Sequence, residues 1–282
     1  MPNINETLKK TASIFQKSGI ADSFREAKSL LAFVLEKNQT FIIAYSEYEL
    51  TAEEEQRFES LVKRRANREP FQYVVGRQEF YGLDFAVTGD VLIPRPETEL
   101  IVEAAIEILQ ATENAKFCEV GVGSGCIAVS ILHHIETATA VGLDISQNAL
   151  NIAEKNAAAH QVADRLELKI SNVFNNLMEE KFGLIVSNPP YIPLEEIKTL
   201  QSEVRDYEPL SALTDGGSGL SIIEKIISDA PKFLNASGVL LMEIGYNQSK
   251  QVEMLFDRRV WNQIEFLTDL QNIPRTVRAS KK

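Results

Sequence analysis

The chain has 282 residues, with 29 Lys and Arg against 40 Asp and Glu, and a formal net charge of −11. Its apolar fraction of 44% and charged fraction of 24% are those of a soluble globular protein, long enough for one large domain or two smaller ones. No apolar run approaches the roughly 18 residues of a membrane span, no signal-peptide pattern opens the chain, and Cys118 and Cys126 are too few for a disulfide framework. Composition therefore excludes a membrane, disordered or disulfide-scaffold protein and points to a reducing cytoplasm.

Charge is unevenly spread. Residues 1–80 carry 12 basic and 12 acidic side chains, and the rest of the chain carries 17 and 28, so the whole acidic excess lies there. Two parts with different tasks are expected. The excess disfavours a protein that grips bare nucleic-acid backbone.

The first seventy residues read as helices. Leu8, Ile14 and Phe15 begin an amphipathic pattern. Ser23-Phe-Arg-Glu26 and Thr51-Ala-Glu-Glu54 both have the spacing of a capping box, in which the first side chain and the fourth satisfy each other's backbone N–H. Leu30, Leu31, Val34 and Leu35 follow the first box, and Phe58, Leu61 and Val62 the second. Lys63, Arg64, Arg65 and Arg68 form a basic cluster. It reads either as a solvated helix face or as a patch for an acidic partner or RNA, with the solvated face favoured.

From Phe71 the pattern changes to short β-prone runs, Phe71-Gln-Tyr-Val-Val75 and Glu79-Phe-Tyr81, which predict a hairpin bridging two domains. The expected division is a helical domain over 1–70, a hairpin linker over 71–90 and a second domain over 91–282. Leu92-Ile-Pro-Arg-Pro-Glu97 is a stiff turn, and Pro96 with Glu97 suits the start of a helix continuing through Leu109.

Beyond residue 115 strands alternate with helices. Predicted strands are Lys116–Val120, Thr139–Asp144, Leu166–Ile170, Leu184–Ser187, Val239–Ile244 and Ile264–Leu267, with helices near Ile127–His134, Ala149–His160, Leu220–Phe233 and Ser249–Phe256. Several strands are continuous apolar runs, as in strands covered on both faces, and the alternation predicts a doubly wound α/β sheet.

Chemistry-bearing residues sit at the predicted strand ends. The first strand runs into Glu119-Val-Gly121-Val-Gly123-Ser-Gly125, where glycines permit a tight turn with a ligand against the backbone. A dinucleotide fingerprint needs Gly or Ala at position 126, which is Cys126, so a smaller nucleoside is favoured over a dinucleotide. Asp144 ends the second strand, placed to accept hydrogen bonds from both ribose hydroxyls. Glu119 reads equally as a ligand-facing carboxylate and as a buried acceptor of loop amides.

The most specific element is Asn188-Pro189-Pro190-Tyr191 after the fourth strand. Two prolines stop the ladder and leave Asn188 at the carboxyl edge of the sheet, where α/β proteins bind ligands. The Asn188 side chain and the Pro189 carbonyl offer two acceptors to a planar amino group with two N–H donors, and the Tyr191 ring is expected to pack against that plane. His133, His134 and His160 read as helix-surface residues away from this edge, and no Cys/His spacing suggests a metal.

In this order, the glycine loop, Asp144 and Asn188-Pro-Pro-Tyr191 resemble an S-adenosylmethionine-dependent methyltransferase acting on a planar nitrogen. Leu92-Ile-Pro-Arg-Pro-Glu-Thr-Glu99, Phe80-Tyr-Gly82, Tyr207-Glu-Pro209 and Gly216-Gly-Ser-Gly219-Leu220 narrow it, and the chain is similar to the peptide chain release factor glutamine methyltransferase family. The resemblance implies a Rossmann-like mixed sheet of seven strands behind a small helical domain that holds the release factor. It implies S-adenosylmethionine bound by Gly121, Val122, Gly123, Ser124, Gly125, Asp144, Ile145, Asn172, Val173 and Asn188. It implies catalysis by Asn188, Pro189 and Tyr191, with Arg95 and Pro190 joining them around the substrate. That substrate would be the glutamine of a Gly-Gly-Gln loop in a class I release factor, with no metal, membrane or stable nucleic-acid partner. A ribosomal-protein glutamine and an adenine N6 amino group are the alternatives, and Pro96-Glu97 after Arg95 favours the release-factor branch. Two positions depart from the family pattern: Glu119 stands where Asp is usual, and Asn172 where Asp is common.

Overall fold

The computed structural model describes every residue except 111, 113 and 114. It divides into two compact units, Met1–Arg77 with Gln201–Tyr207, and Gln78–Leu200 with Glu208–Lys282.

The first unit is helical, built on Ile4–Lys17, Ser23–Leu35, Gln39–Ala44, Ala52–Ala66, Phe71–Val75 and Ser202–Tyr207. Phe15, Leu30, Leu31, Ile42, Leu50 and Phe58 fill its core. Thr51 and Glu54 form the predicted capping box, and Asn3 with Glu6 forms another at the first helix. The predicted box at Ser23 does not form. The helix already includes Ser23, and Glu26 turns instead to Arg65 at 2.6 Å. Nor is the basic cluster simply a solvated face: Arg65 is 5% exposed and lies between Glu26 and Glu203, Arg68 also meets Glu203 at 2.6 Å, and Arg64 meets Glu69. Three of the four cations are thus paired with carboxylates within the unit.

The run Phe71–Val75 is a helical turn ended by Gly76 at φ 77°, not a strand. The hairpin is shorter, pairing β1 (Arg77–Phe80) with β2 (Leu83–Ala86). Tyr81 and Gly82 between them both have positive φ, the requirement of a tight two-residue hairpin turn.

The second unit carries a seven-stranded sheet of β3 (Lys116–Val120), β4 (Thr139–Asp144), β5 (Leu166–Ile170), β6 (Phe182–Ser187), β7 (Leu234–Glu243), β8 (Trp261–Thr268) and β9 (Pro274–Lys281). The spatial order is β5-β4-β3-β6-β7-β9-β8. β3 to β7 pair in parallel, whereas β9 runs antiparallel between β7 and β8. The sheet is Rossmann-like and mixed, as expected. Its first three strands occur exactly where the apolar runs put them. No strand was predicted at β9, where Pro-Arg-Thr-Val-Arg-Ala-Ser-Lys has no apolar run, although Thr276, Val277 and Ala279 are fully buried.

The order reverses between β3 and β6, so their carboxyl ends flank the crevice where such sheets take ligands. The Ser187 hydroxyl donates to the Val120 carbonyl at 2.7 Å and ties those two ends together. Both cysteines are buried free thiols. Among the described residues, no helix is long and apolar enough to cross a membrane.

Candidate active site

A cavity of about 290 Å³ opens at this crevice. Its walls include Arg95, Thr98, Glu119, Gly121 to Ser124, Asp144, Ile145, Asn172, Val173 and Asn188 to Pro190. Sequence-predicted residues from four strand ends thus meet in one place. Gly125 supports the loop from behind, where an added Cβ would lie 3.2 Å from the Ala153 Cβ.

Backbone geometry explains the glycines. Gly121, Gly123 and Gly125 have φ of 76°, 54° and 80°, left-handed values that side chains resist. A Cβ on Gly123 would meet no atom within 4 Å and would take up space offered to a ligand. The loop is held by Asp144, whose Oδ2 accepts the Gly123 N–H at 2.9 Å while Oδ1 accepts that of Ser146 at 2.9 Å. Each oxygen retains acceptor capacity for a further donor. Burial raises the Asp144 carboxyl above its ordinary value, and these amides oppose the rise.

Glu119 is a buried acceptor of a helix amide that also borders the cavity. It is 1% exposed and accepts the Ala128 N–H at 2.8 Å, in the first turn of helix Cys126–His134, yet it also lines the cavity. Burial pushes its carboxyl well up, the Ala128 amide pulling the other way. Asn172 receives the Lys225 ammonium at 3.2 Å. Val173 sits at φ 54°, a left-handed conformation costing a β-branched residue on the order of 1–3 kcal/mol.

The Asn-Pro-Pro-Tyr turn is braced by residues that no motif announced. Asn188 Nδ2 donates to the Thr98 hydroxyl at 3.1 Å, and Thr98 donates to Glu243 Oε2 at 2.7 Å. The Tyr191 hydroxyl donates to Glu243 Oε1 at 3.0 Å, and Gln248 Nε2 donates to the Tyr191 carbonyl at 2.9 Å. Through its phenol hydroxyl, Tyr191 braces the turn against Glu243. Burial and Glu243 together push that phenol far above its usual range.

Arg95 lines the cavity, but one guanidinium nitrogen is committed to buried Glu208 at 2.5 Å. Glu208 also accepts the Ile93 N–H, clamping the proline-rich turn. A buried carboxylate ending the apolar run of β7 was the available signal for Glu243. For Glu208 it was the Tyr-Glu-Pro motif.

The histidines lie elsewhere and gather together. His133 stacks edge-on against His134 and His160, with ring centroids 5.6 and 6.3 Å apart, and Tyr81 and Phe85 close the group. Among the described residues, no cluster of His, Cys, Asp or Glu is placed to hold a metal.

Residues 6–76 match the PrmC N-terminal domain family, and residues 98–204 match the methyltransferase small domain family. A release factor glutamine methyltransferase of Geobacter sulfurreducens is 40% identical over 255 residues, covering 90% of this chain and 88% of its own. The chain belongs to the release factor glutamine methyltransferase family. A second member, from Koribacter versatilis, is 38% identical over 89% of both chains. The hMettl16 catalytic domain superposes with a TM-score of 0.58 at 14% identity, covering 89% of this chain and 90% of that one, which is a likeness of fold. As a methyltransferase of this family the chain is an enzyme that uses S-adenosylmethionine, and the cavity's residues suit a nucleoside. They comprise a left-handed glycine loop open above Gly123, an acidic residue at the second strand end, and Ile145 and Val173 as apolar walls.

Proposed function

We propose that this chain transfers a methyl group from S-adenosylmethionine to the side-chain amide nitrogen of the glutamine in the Gly-Gly-Gln loop of class I release factors, and so tunes translation termination in the cytoplasm. The observation that carries this reading is the braced Asn188-Pro189 pair at the carboxyl end of β6, beside the glycine loop of β3. Gly121, Val122, Gly123, Ser124 and Gly125 would hold the amino acid end of the cofactor. Asp144 and Ile145 would hold its ribose, and Asn172 and Val173 its adenine. When bound, S-adenosylmethionine supplies an electrophilic methyl carbon on a sulfonium.

A carboxamide nitrogen is a poor nucleophile, because its lone pair is delocalised into the carbonyl. Asn188 Oδ1 and the Pro189 carbonyl would accept one N–H each, orient the nitrogen in line with the methyl and favour the positive charge that develops on it. This is catalysis by positioning and preorganised electrostatics. It needs no general base ahead of methyl transfer, since proton loss can follow. Pro190 and Arg95 would shape the substrate side, and the helical unit would hold the body of the release factor.

Asp144→Ala is expected to weaken S-adenosylmethionine binding about 10- to 100-fold, the value of hydrogen bonds to a charged group. Calorimetric titration checks this, and an unchanged Kd would remove Asp144 from the ribose site. The substrate is tested with methyl-labelled cofactor, a purified class I release factor and its loop Gln→Ala variant, followed by peptide mapping. Label on the Gly-Gly-Gln peptide, lost in the variant, is the expected result. Label confined to a ribosomal protein or to adenine would replace the substrate assignment.

A further inference from the structure

Behind Asn188 lies a chain of hydrogen bonds whose direction is set by the ionised form of Glu243. Glu243 and Thr98 are both buried, 2% and 1% exposed. Glu243 receives two hydroxyls, Thr98 on Oε2 at 2.7 Å and Tyr191 on Oε1 at 3.0 Å. Burial raises the Glu243 carboxyl, and the Thr98 and Tyr191 hydroxyls that donate to it oppose the rise; in its ionised form it only accepts, and a threonine hydroxyl has a single proton. The Thr98 proton is therefore committed to Glu243, and its oxygen can only accept. Asn188 must then turn its NH2 group towards Thr98, as its Nδ2 does at 3.1 Å. Its oxygen is left on the other side of the amide, on a residue that lines the cavity.

We infer that Thr98 and Glu243 are positioning residues that set the donor–acceptor sense of Asn188, and through it make the site select a carboxamide over a carboxylate. The inference rests on the glutamine reading given above. With Oδ1 forward, Asn188 accepts an N–H of a carboxamide and repels a carboxylate oxygen. With the amide reversed, the same side chain would donate to a carboxylate and could hold no N–H. The two side chains differ little in size and shape, so discrimination by volume alone is weak, whereas a site built around hydrogen bonds rejects the wrong partner strongly. Thr98 contributes no atom to that choice directly; it acts by leaving Asn188 one orientation.

The test uses the full chain as wild type, Thr98→Val and Thr98→Ser. Valine keeps the shape of threonine and removes both bonds of its hydroxyl, whereas serine keeps the hydroxyl. Each protein is given an intact class I release factor and its loop Gln→Glu variant. The rate of methyl transfer to the first is measured, and the affinity for both is measured with S-adenosylhomocysteine present.

Wild type should prefer the glutamine form at least about 10-fold, and Thr98→Val should lose most of that preference together with about 30-fold in kcat. Thr98→Ser should restore both. A Thr98→Val enzyme that is slower but keeps the full preference would reduce Thr98 to a packing residue and overturn the inference. So would a valine variant matching wild type in both readouts, or a serine variant that restores neither. Wild-type enzyme that leaves the release factor unlabelled fails at the earlier step, and overturns the substrate reading and this inference together.

Discussion

Asn188→Ala is expected to lower kcat by about 10³-fold, a loss typical of removing one preorganised group that meets developing charge. Two effects combine. The substrate nitrogen loses the acceptor that orients it, and the buried Thr98 oxygen loses the donor at 3.1 Å. Asn188→Asp separates them, because it keeps an acceptor towards the cavity while opposing the Thr98 oxygen with another oxygen. It also adds a carboxylate close to Glu243, and about 10²-fold of the rate should be lost. Single-turnover kinetics at saturating cofactor read both variants directly. An alanine enzyme retaining a tenth of the wild-type rate would exclude Asn188 from the transition state.

Gly219→Ala should be nearly as damaging, although Gly219 is not a cavity-lining residue. A Cβ there would stand 2.1 Å from the Tyr191 carbonyl oxygen and 2.7 Å from its carbon, on a residue at φ 78°. The obstacle is backbone, so no rotamer relieves it and the Asn-Pro-Pro-Tyr turn must shift. A displacement of about 1 Å at a reacting centre costs about 10²-fold in rate, and the strain should lower stability by about 3 kcal/mol or more. Urea denaturation combined with steady-state assays tests both effects. Gly216→Ala is the control: its φ is 80°, but an added Cβ meets nothing within 4 Å, so only about 1–2 kcal/mol of backbone strain is expected. Equal behaviour of the two variants would show that the approach to Tyr191 does not matter.

Much of the second unit was legible in the sequence for a simple reason. β3, β4 and β6 are apolar runs ended by glycine, aspartate or asparagine-proline, so the signal that makes each strand also marks where its ligand-facing end begins. What stayed hidden depends on contacts distant in sequence. Ser23 and Glu26 have the spacing of a cap, yet Glu26 is drawn to Arg65, thirty-nine positions away. Phe71–Val75 has β-prone composition but forms a helical turn, its Tyr73 and Val74 buried in that form. The hold of Glu243 on the Tyr191 hydroxyl joins residues 52 positions apart and has no local signal. Thr98 and Glu243 are 145 positions apart, and only the folded sheet shows that they meet.

The excursion Gln201–Tyr207 bears on how this enzyme can be taken apart. Glu203 is bound by Arg65 and Arg68, and the Tyr207 hydroxyl donates to the Asn67 carbonyl, while the very next residue, Glu208, grips Arg95. The boundary between the units is therefore crossed three times by one polypeptide. A chimera that exchanges the N-terminal 77 residues between two relatives would separate Arg68 from Glu203 and leave Arg65 with Glu26 alone, unless seven residues from the middle of the chain travel with them. Recombination libraries should accordingly treat positions 65, 68 and 203 as one inherited block.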